Sequence, residues 1–272
     1  MSDTTTTDPA ADGSTPYQLG YTTLSWAWTD NVDVDRMLWT MGDAGWTGVE
    51  FISLSADVLG TPTRLRSKLD ANGLEAVGVL GSLKLGEETA SSLDRQRRLI
   101  EYGAELGCSV YCFIGGERVP QRLPNDDDFK ALGDASEQLI DHAADHGMEV
   151  AYHAHPRCTV ESEGEQDRLL QFTERLGICV DVSVAAFMQE DPIAQLRKYR
   201  DRLTYVHMKD WTHGKFCTLG KGTVGLDIPG VLDTLTELDY RGWVMTELSP
   251  YADSAAESSC YDNREYLRSL GY

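Results

Sequence analysis

Basic charge is scarce in this 272-residue chain: Lys and Arg number 24 against 44 Asp and Glu, a net charge of −20. A surface of that sign repels a phosphate backbone, so nucleic acid is not an expected partner. Lysine is the scarcer cation, and the acidic residues are spread along the chain rather than gathered in a tail. Both a salt-adapted (halophilic) surface and an ordinary acidic cytoplasmic protein fit that pattern. Stability that rises in molar potassium chloride identifies the first, and maximal stability in low salt the second. Long apolar runs are also missing. No stretch reaches the roughly 18 residues of a membrane span, and no membrane association is expected. The six cysteines form no CxxC pair, and several sit in apolar runs such as "SVYCFIGG" and "GICVDVS"; they read as buried thiols in a reducing cytoplasm. Residues 1–16, "MSDTTTTDPAADGSTP", have neither the basic start nor the apolar core of a secretory signal. They read as a disordered tail before a single domain at 17–272.

What is present is an alternation. Short apolar runs predict strands at 18–26, 47–52, 75–82, 109–116, 148–155, 178–183, 203–210 and 243–249. Segments with helical spacing lie between and after them, at 33–43, 62–72, 89–106, 126–146, 163–175, 191–199, 227–238 and 253–270. Asp191-Pro192 and Asp227 with Pro229 are helix starts, and Gly45, Gly73, Gly107, Gly147 and Gly177 stand just before the next strand, where helices end. Strict β/α alternation demands parallel pairing, and eight such units close an α/β fold of the (β/α)8 TIM-barrel type. A doubly wound open sheet is the other arrangement considered. No GxGxxG follows the first strand, which weakens its dinucleotide-binding version.

In such a barrel, chemistry collects where strands end. The polar residues there are Glu50, His153, His155, Asp181, His207, Lys209, Asp210 and Glu247. Four of the six histidines, His153, His155, His207 and His213, follow strands five or seven. Asp181 in "CVDVS", His207 in "YVHMK" and Glu247 in "MTELS" are each the lone ionisable group of an apolar interior, where an uncompensated charge is too costly to hold. A divalent cation satisfies all three together. Lys209, Lys215 and Lys221 crowd into the seventh strand and its glycine-rich loop, "KDWTHGKFCTLGKGTVG". They suit an anionic or polyhydroxylated substrate, or an amine for proton transfer; for Lys215 and Lys221 a solvated loop is the other reading. Trp211 is placed to stack on a sugar face or to pack between elements, and Glu50 either to meet substrate or to pair with a basic neighbour.

The run "RLTYVHMKDW", followed by "LGKGTVGLDIPGVLDTLTELDYRGWVMTELS", is similar to the sugar phosphate isomerase/epimerase superfamily of xylose isomerase-like TIM barrels, and in particular to its inosose dehydratase-like branch. "GWTGVEF" fits the same pattern, and the resemblance runs from about Leu19 to the C-terminus. It implies a bound divalent metal, most often manganese, with magnesium, cobalt or zinc as alternatives. It implies Asp181, His207 and Glu247 as ligands. The epimerases' first ligand is a Glu on strand five; here His153 takes that place, with His155 or Glu161 as substitutes, because "HAHPRCTVE" is similar to the HxH…VE variant of the dehydratase-like members. Glu247, Lys209 and His153 are the implied catalytic groups, and the strand-end and loop residues Glu50, His155, Trp211, Lys215 and Lys221 are the substrate contacts expected from their positions. The implied activity is a lyase that removes water from a keto-inositol or keto-sugar by α-proton abstraction and β-hydroxyl loss. The alternative is a ketose or sugar phosphate isomerase or epimerase working through an enediolate. A small polyhydroxylated keto substrate is the expected partner, and a homo-oligomer is compatible. A related apurinic endonuclease needs a basic face that a net charge of −20 denies. A non-catalytic sugar-binding barrel predicts weak metal affinity.

Overall fold

Eight parallel strands close on themselves in a computed structural model that describes residues 15–27, 31–119, 122–212, 214–249 and 255–272. Most of the expected tail (1–14) and His213 lie outside the described residues. The strands in chain order are β1 (Gln18–Thr22), β2 (Gly48–Ile52), β3 (Glu75–Leu83), β4 (Val110–Gly115), β5 (Glu149–His153), β6 (Gly177–Asp181), β7 (Leu203–Met208), the small hairpin pair β8 (Asp210–Thr212) and β9 (Lys215–Cys217), and β10 (Trp243–Thr246). Around the barrel the order is β1-β10-β7-β6-β5-β4-β3-β2, with every neighbour parallel, so the expected (β/α)8 architecture is the observed one.

The helices are α1 (Val34–Ala44), α2 (Ala56–Leu59), α3 (Pro62–Ala71), α4 (Thr89–Leu106), α5 (Asp126–Asp145), α6 (Glu163–Leu169), α7 (Val182–Phe187), α8 (Pro192–Lys198), α9 (Ile228–Glu237) and α10 (Ala256–Ser269). Their starts are fixed locally. Asn125 and Asp128 form a reciprocal capping box on α5, Ser162 and Glu165 another on α6, and Asp191 caps α8 ahead of Pro192. The main core lies between sheet and helices, where Val49, Phe51, Val79, Tyr111, Phe113 and Val206 meet Met37, Leu38, Leu65, Ile100, Leu132 and Leu139. A smaller cluster, with Val110, Cys112, Ala151, Cys179, Tyr205 and Met245, fills the barrel itself. All six cysteines are free, and only Cys217 is not buried. Among the described residues no helix is long and apolar enough to cross a membrane.

Differences from the expected elements concentrate at the strand ends. The sixth strand stops at Asp181 rather than 183, because the Asp181 carboxylate accepts from the Ser183 and Val184 amides and starts α7 there. The first strand stops at Thr22, and the eighth barrel strand at Thr246. The loop after β7 carries the β8–β9 hairpin. The helix expected at 163–175 covers only Glu163–Leu169.

Candidate metal centre

The C-terminal ends of β2, β5, β6, β7 and β10 bring six polar side chains to one buried cluster: Glu50, His153, Asp181, His207, Lys209 and Glu247. His153 closes β5. Its Nδ1 is 2.7 Å from the Ala154 carbonyl, which only accepts, so Nδ1 carries a proton and Nε2 turns inward. That Nε2 lies 3.3 Å from Asp181 Oδ2. On β7, His207 has Nε2 at 3.0 Å from Glu50 Oε2 and Nδ1 at 3.6 Å from Glu247 Oε2, yet neither ring nitrogen and neither Glu50 oxygen has a hydrogen bond. Orphaned buried polar atoms of this kind are costly, and a coordinated ion removes the cost.

One ligand atom each from His153, Asp181 and His207 fit within 4.8 Å of one another, with Glu247 beside His207. Two imidazoles and two carboxylates suit a divalent ion such as manganese or zinc. A softer set, Cys112 and Cys179, also reaches His207 from inside the barrel. Burial pushes both thiols up, so they stay protonated and compete poorly as ligands.

Lys209, just past β7, reaches both Asp181 Oδ2 and Glu247 Oε1. Burial alone would lower its ammonium, but the Asp181 and Glu247 carboxylates hold it above the usual lysine range. Burial would likewise raise the two carboxyls. Lys209, with His153 beside Asp181 and His207 beside Glu247, instead holds Asp181 well below and Glu247 below the ordinary carboxylate range. His207 is held well above the usual imidazole range: burial opposes this, but the Glu50 and Glu247 carboxylates favour the charged ring.

Two of the expected substrate contacts have an ionic partner within the protein. Glu50 is fully buried within the cluster, 3.0 Å from His207 Nε2. Lys221 is drawn to α10, where Asp262 pairs with it at 2.5 Å. His155 does sit beside the cluster, its ring 5.6 Å from that of His153. Burial, followed by His153 and Lys209, pushes its imidazole down to about 4, so it stays neutral near pH 7. Glu161 instead pairs with Arg118 at 3.0 Å. Trp211 packs between the rings of Phe187 and Phe216, at 5.0 and 4.7 Å, and Phe216 lies 4.7 Å from Lys209 Nζ. Lys215 stands on β9, across from Thr212. Phe187 and Phe216 were not singled out in the sequence, although both are aromatics that follow barrel strands.

Asp210 has a role that the sequence pattern concealed. Its carboxylate gathers the amides of Trp211, Gly220 and Gly222 at 2.8, 3.0 and 2.9 Å, tying the loop back over the end of β7. A Cβ at Gly222 would sit 1.8 Å from Asp210 Oδ1, so only glycine fits. Gly222→Ala is expected to destabilise the fold by about 1–3 kcal/mol, read as a lower urea midpoint; an unchanged midpoint would show that the loop yields freely.

Barrel, strand-end cluster and loop together define a xylose isomerase-like TIM barrel. The model of that family matches residues 41–270, and the chain belongs to it and is an enzyme. It is 30% identical to an inosose dehydratase of Geobacillus kaustophilus over 85% of this chain and 87% of the relative. It is also 30% identical to a rhizopine catabolism protein of Rhizobium meliloti, over 79% of this chain and 74% of that protein. The structure of an L-ribulose 3-epimerase superposes with a TM-score of 0.80 at 16% identity, covering 94% of each chain.

Proposed function

We propose that this enzyme is a divalent-metal-dependent dehydratase of a keto-inositol or a closely similar keto-sugar. The observation that carries the reading is the meeting of His153, Asp181 and His207 at one buried point, with Glu247 beside His207 and Lys209 bridging the two carboxylates. The likeness to the inosose dehydratase supports the substrate class. His153, Asp181, His207 and Glu247 would hold the ion, manganese by preference, and when bound it supplies Lewis-acid polarisation of a ketone.

The chain's own groups account for the protons. Glu247, kept ionised by Lys209 and His207, is the base that takes the proton α to the ketone. Lys209, kept protonated by Asp181 and Glu247, donates a proton to the β-hydroxyl, which leaves as water as the C–O bond breaks. The direct contact of Lys209 with Glu247 then returns the abstracted proton to the amine and resets both groups. His153 has one nitrogen committed to the Ala154 carbonyl, so its other nitrogen serves as ligand and is not free for proton transfer. His155, neutral and beside the cluster, together with Trp211 and Lys215 on the hairpin, forms the proposed substrate wall.

Epimerisation is the second reading. It needs bases on both faces of one carbon, and with His153 on β5 the second carboxylate base is absent from that strand end. The test is product analysis on a keto-inositol in deuterated water. Loss of water with formation of an unsaturated or rearranged diketone supports the dehydratase. Deuterium exchange with full recovery of the hydroxyl groups would replace it with the epimerase.

A further inference from the structure

Two histidines play no part in the cluster at the strand ends. His142 lies in the last turn of α5, and His146 caps that helix, one turn on. Their rings are 4.9 Å apart, and Glu101 on α4 faces them. Residues four apart share one face of a helix, so the two imidazoles are offered side by side. His142 Nε2 lies 3.3 Å from Glu101 Oε1, and one ligand atom from each of the three residues falls within 4.8 Å of the others. Ligands at roughly 2.0–2.2 Å around a tetrahedral ion are themselves about 3.3–3.5 Å apart, so the His142–Glu101 spacing is that of one edge of such a site. His142 Nε2 is buried and has no hydrogen bond. The negative end of the α5 dipole and the chain's net charge of −20 both favour a cation there.

We propose that Glu101, His142 and His146 form a second metal site, of the zinc class, with water completing the tetrahedron. It is independent of the proposed catalytic reading. The α5 C-terminus leads into the start of β5, so this cluster lies at the end of the barrel where strands begin, opposite the catalytic cluster. Residues at that end serve stability rather than turnover. The ion clamps α4 to α5 and has no catalytic task. Imidazole-rich sites prefer zinc, nickel or copper over manganese, which separates the two sites chemically.

The experiment uses the full chain, stripped with chelator, loaded with zinc chloride, passed through gel filtration and measured by elemental analysis. Wild type is compared with His142→Ala/His146→Ala, and with His142→Gln/His146→Gln, which preserves side-chain bulk. The proposal expects each double variant to hold one zinc equivalent less than wild type, with unchanged turnover of the manganese-loaded enzyme. It also expects zinc to raise the melting temperature of wild type more than that of either variant. Equal zinc content in wild type and variants would overturn the site. A lower content with an identical thermal response would overturn the clamp. An ordinary ion pair between Glu101 and a protonated His142 predicts the first of these two results.

Discussion

Glu247→Gln enzyme is expected to keep its metal and lose its chemistry, with kcat lower by roughly 10²–10⁴-fold. The amide retains an oxygen that can ligate, but it cannot accept the α-proton. The native carboxylate is well suited to that task. Although buried, it is held ionised by Lys209 and His207, and its contact with the Lys209 amine gives the proton a route onward. Glu247→Ala removes the oxygen as well, and is expected to lose metal too. Measuring kcat and metal content on the same samples separates the two effects. A Glu247→Gln enzyme that retains wild-type kcat within a few-fold would remove Glu247 from proton transfer and leave it a ligand only.

Glu50→Gln acts one step further from the reaction, and its expected effect is a manganese affinity lower by about 10–100-fold. Glu50 is fully buried and reaches only the far nitrogen of His207, at 3.0 Å. With a metal on Nδ1, the nitrogen on the Glu247 side, the Glu50 carboxylate would be the acceptor for the one ring proton left, on Nε2. A glutamine can present its own N–H to the ring and oppose that arrangement. The measurement is calorimetric titration of metal-stripped protein. An unchanged affinity would mean that the barrel wall alone orients His207.

The fold was legible because the β/α alternation is strict and its punctuation local. Asp191-Pro192 caps a helix where expected, and Gly45 and Gly107 close helices in the left-handed conformation. The ends of elements were less legible. Asp181 sits in an apolar run that reads as continued strand, yet its carboxylate caps α7, a competition that hydrophobic periodicity does not register. The cluster residues could be named because lone charges in apolar strands stand out, but their partners could not. Glu50 meets His207 across the barrel interior, 157 positions away along the chain, and no spacing rule connects strand two to strand seven. Lys221 shows the opposite difficulty. Its neighbours in sequence suggest a basic loop, whereas its partner, Asp262, lies on the last helix. The aromatic wall of Phe187, Trp211 and Phe216 depends on how α7 and the β8–β9 hairpin fold over β7, which follows from tertiary packing.

The most direct test of the proposed centre is manganese content by elemental analysis, on protein carrying His142→Ala/His146→Ala so that the second cluster adds no ion. That background is compared with the same protein further changed at His153→Ala, in salt that keeps each folded. The account predicts about one retained manganese in the first and none in the second, with His153 as a ligand through Nε2. Manganese retained in full after His153→Ala would contradict that role and move His153 from ligation to proton chemistry. No manganese in either protein, even at high supplied concentration, would contradict the metal-dependent mechanism itself.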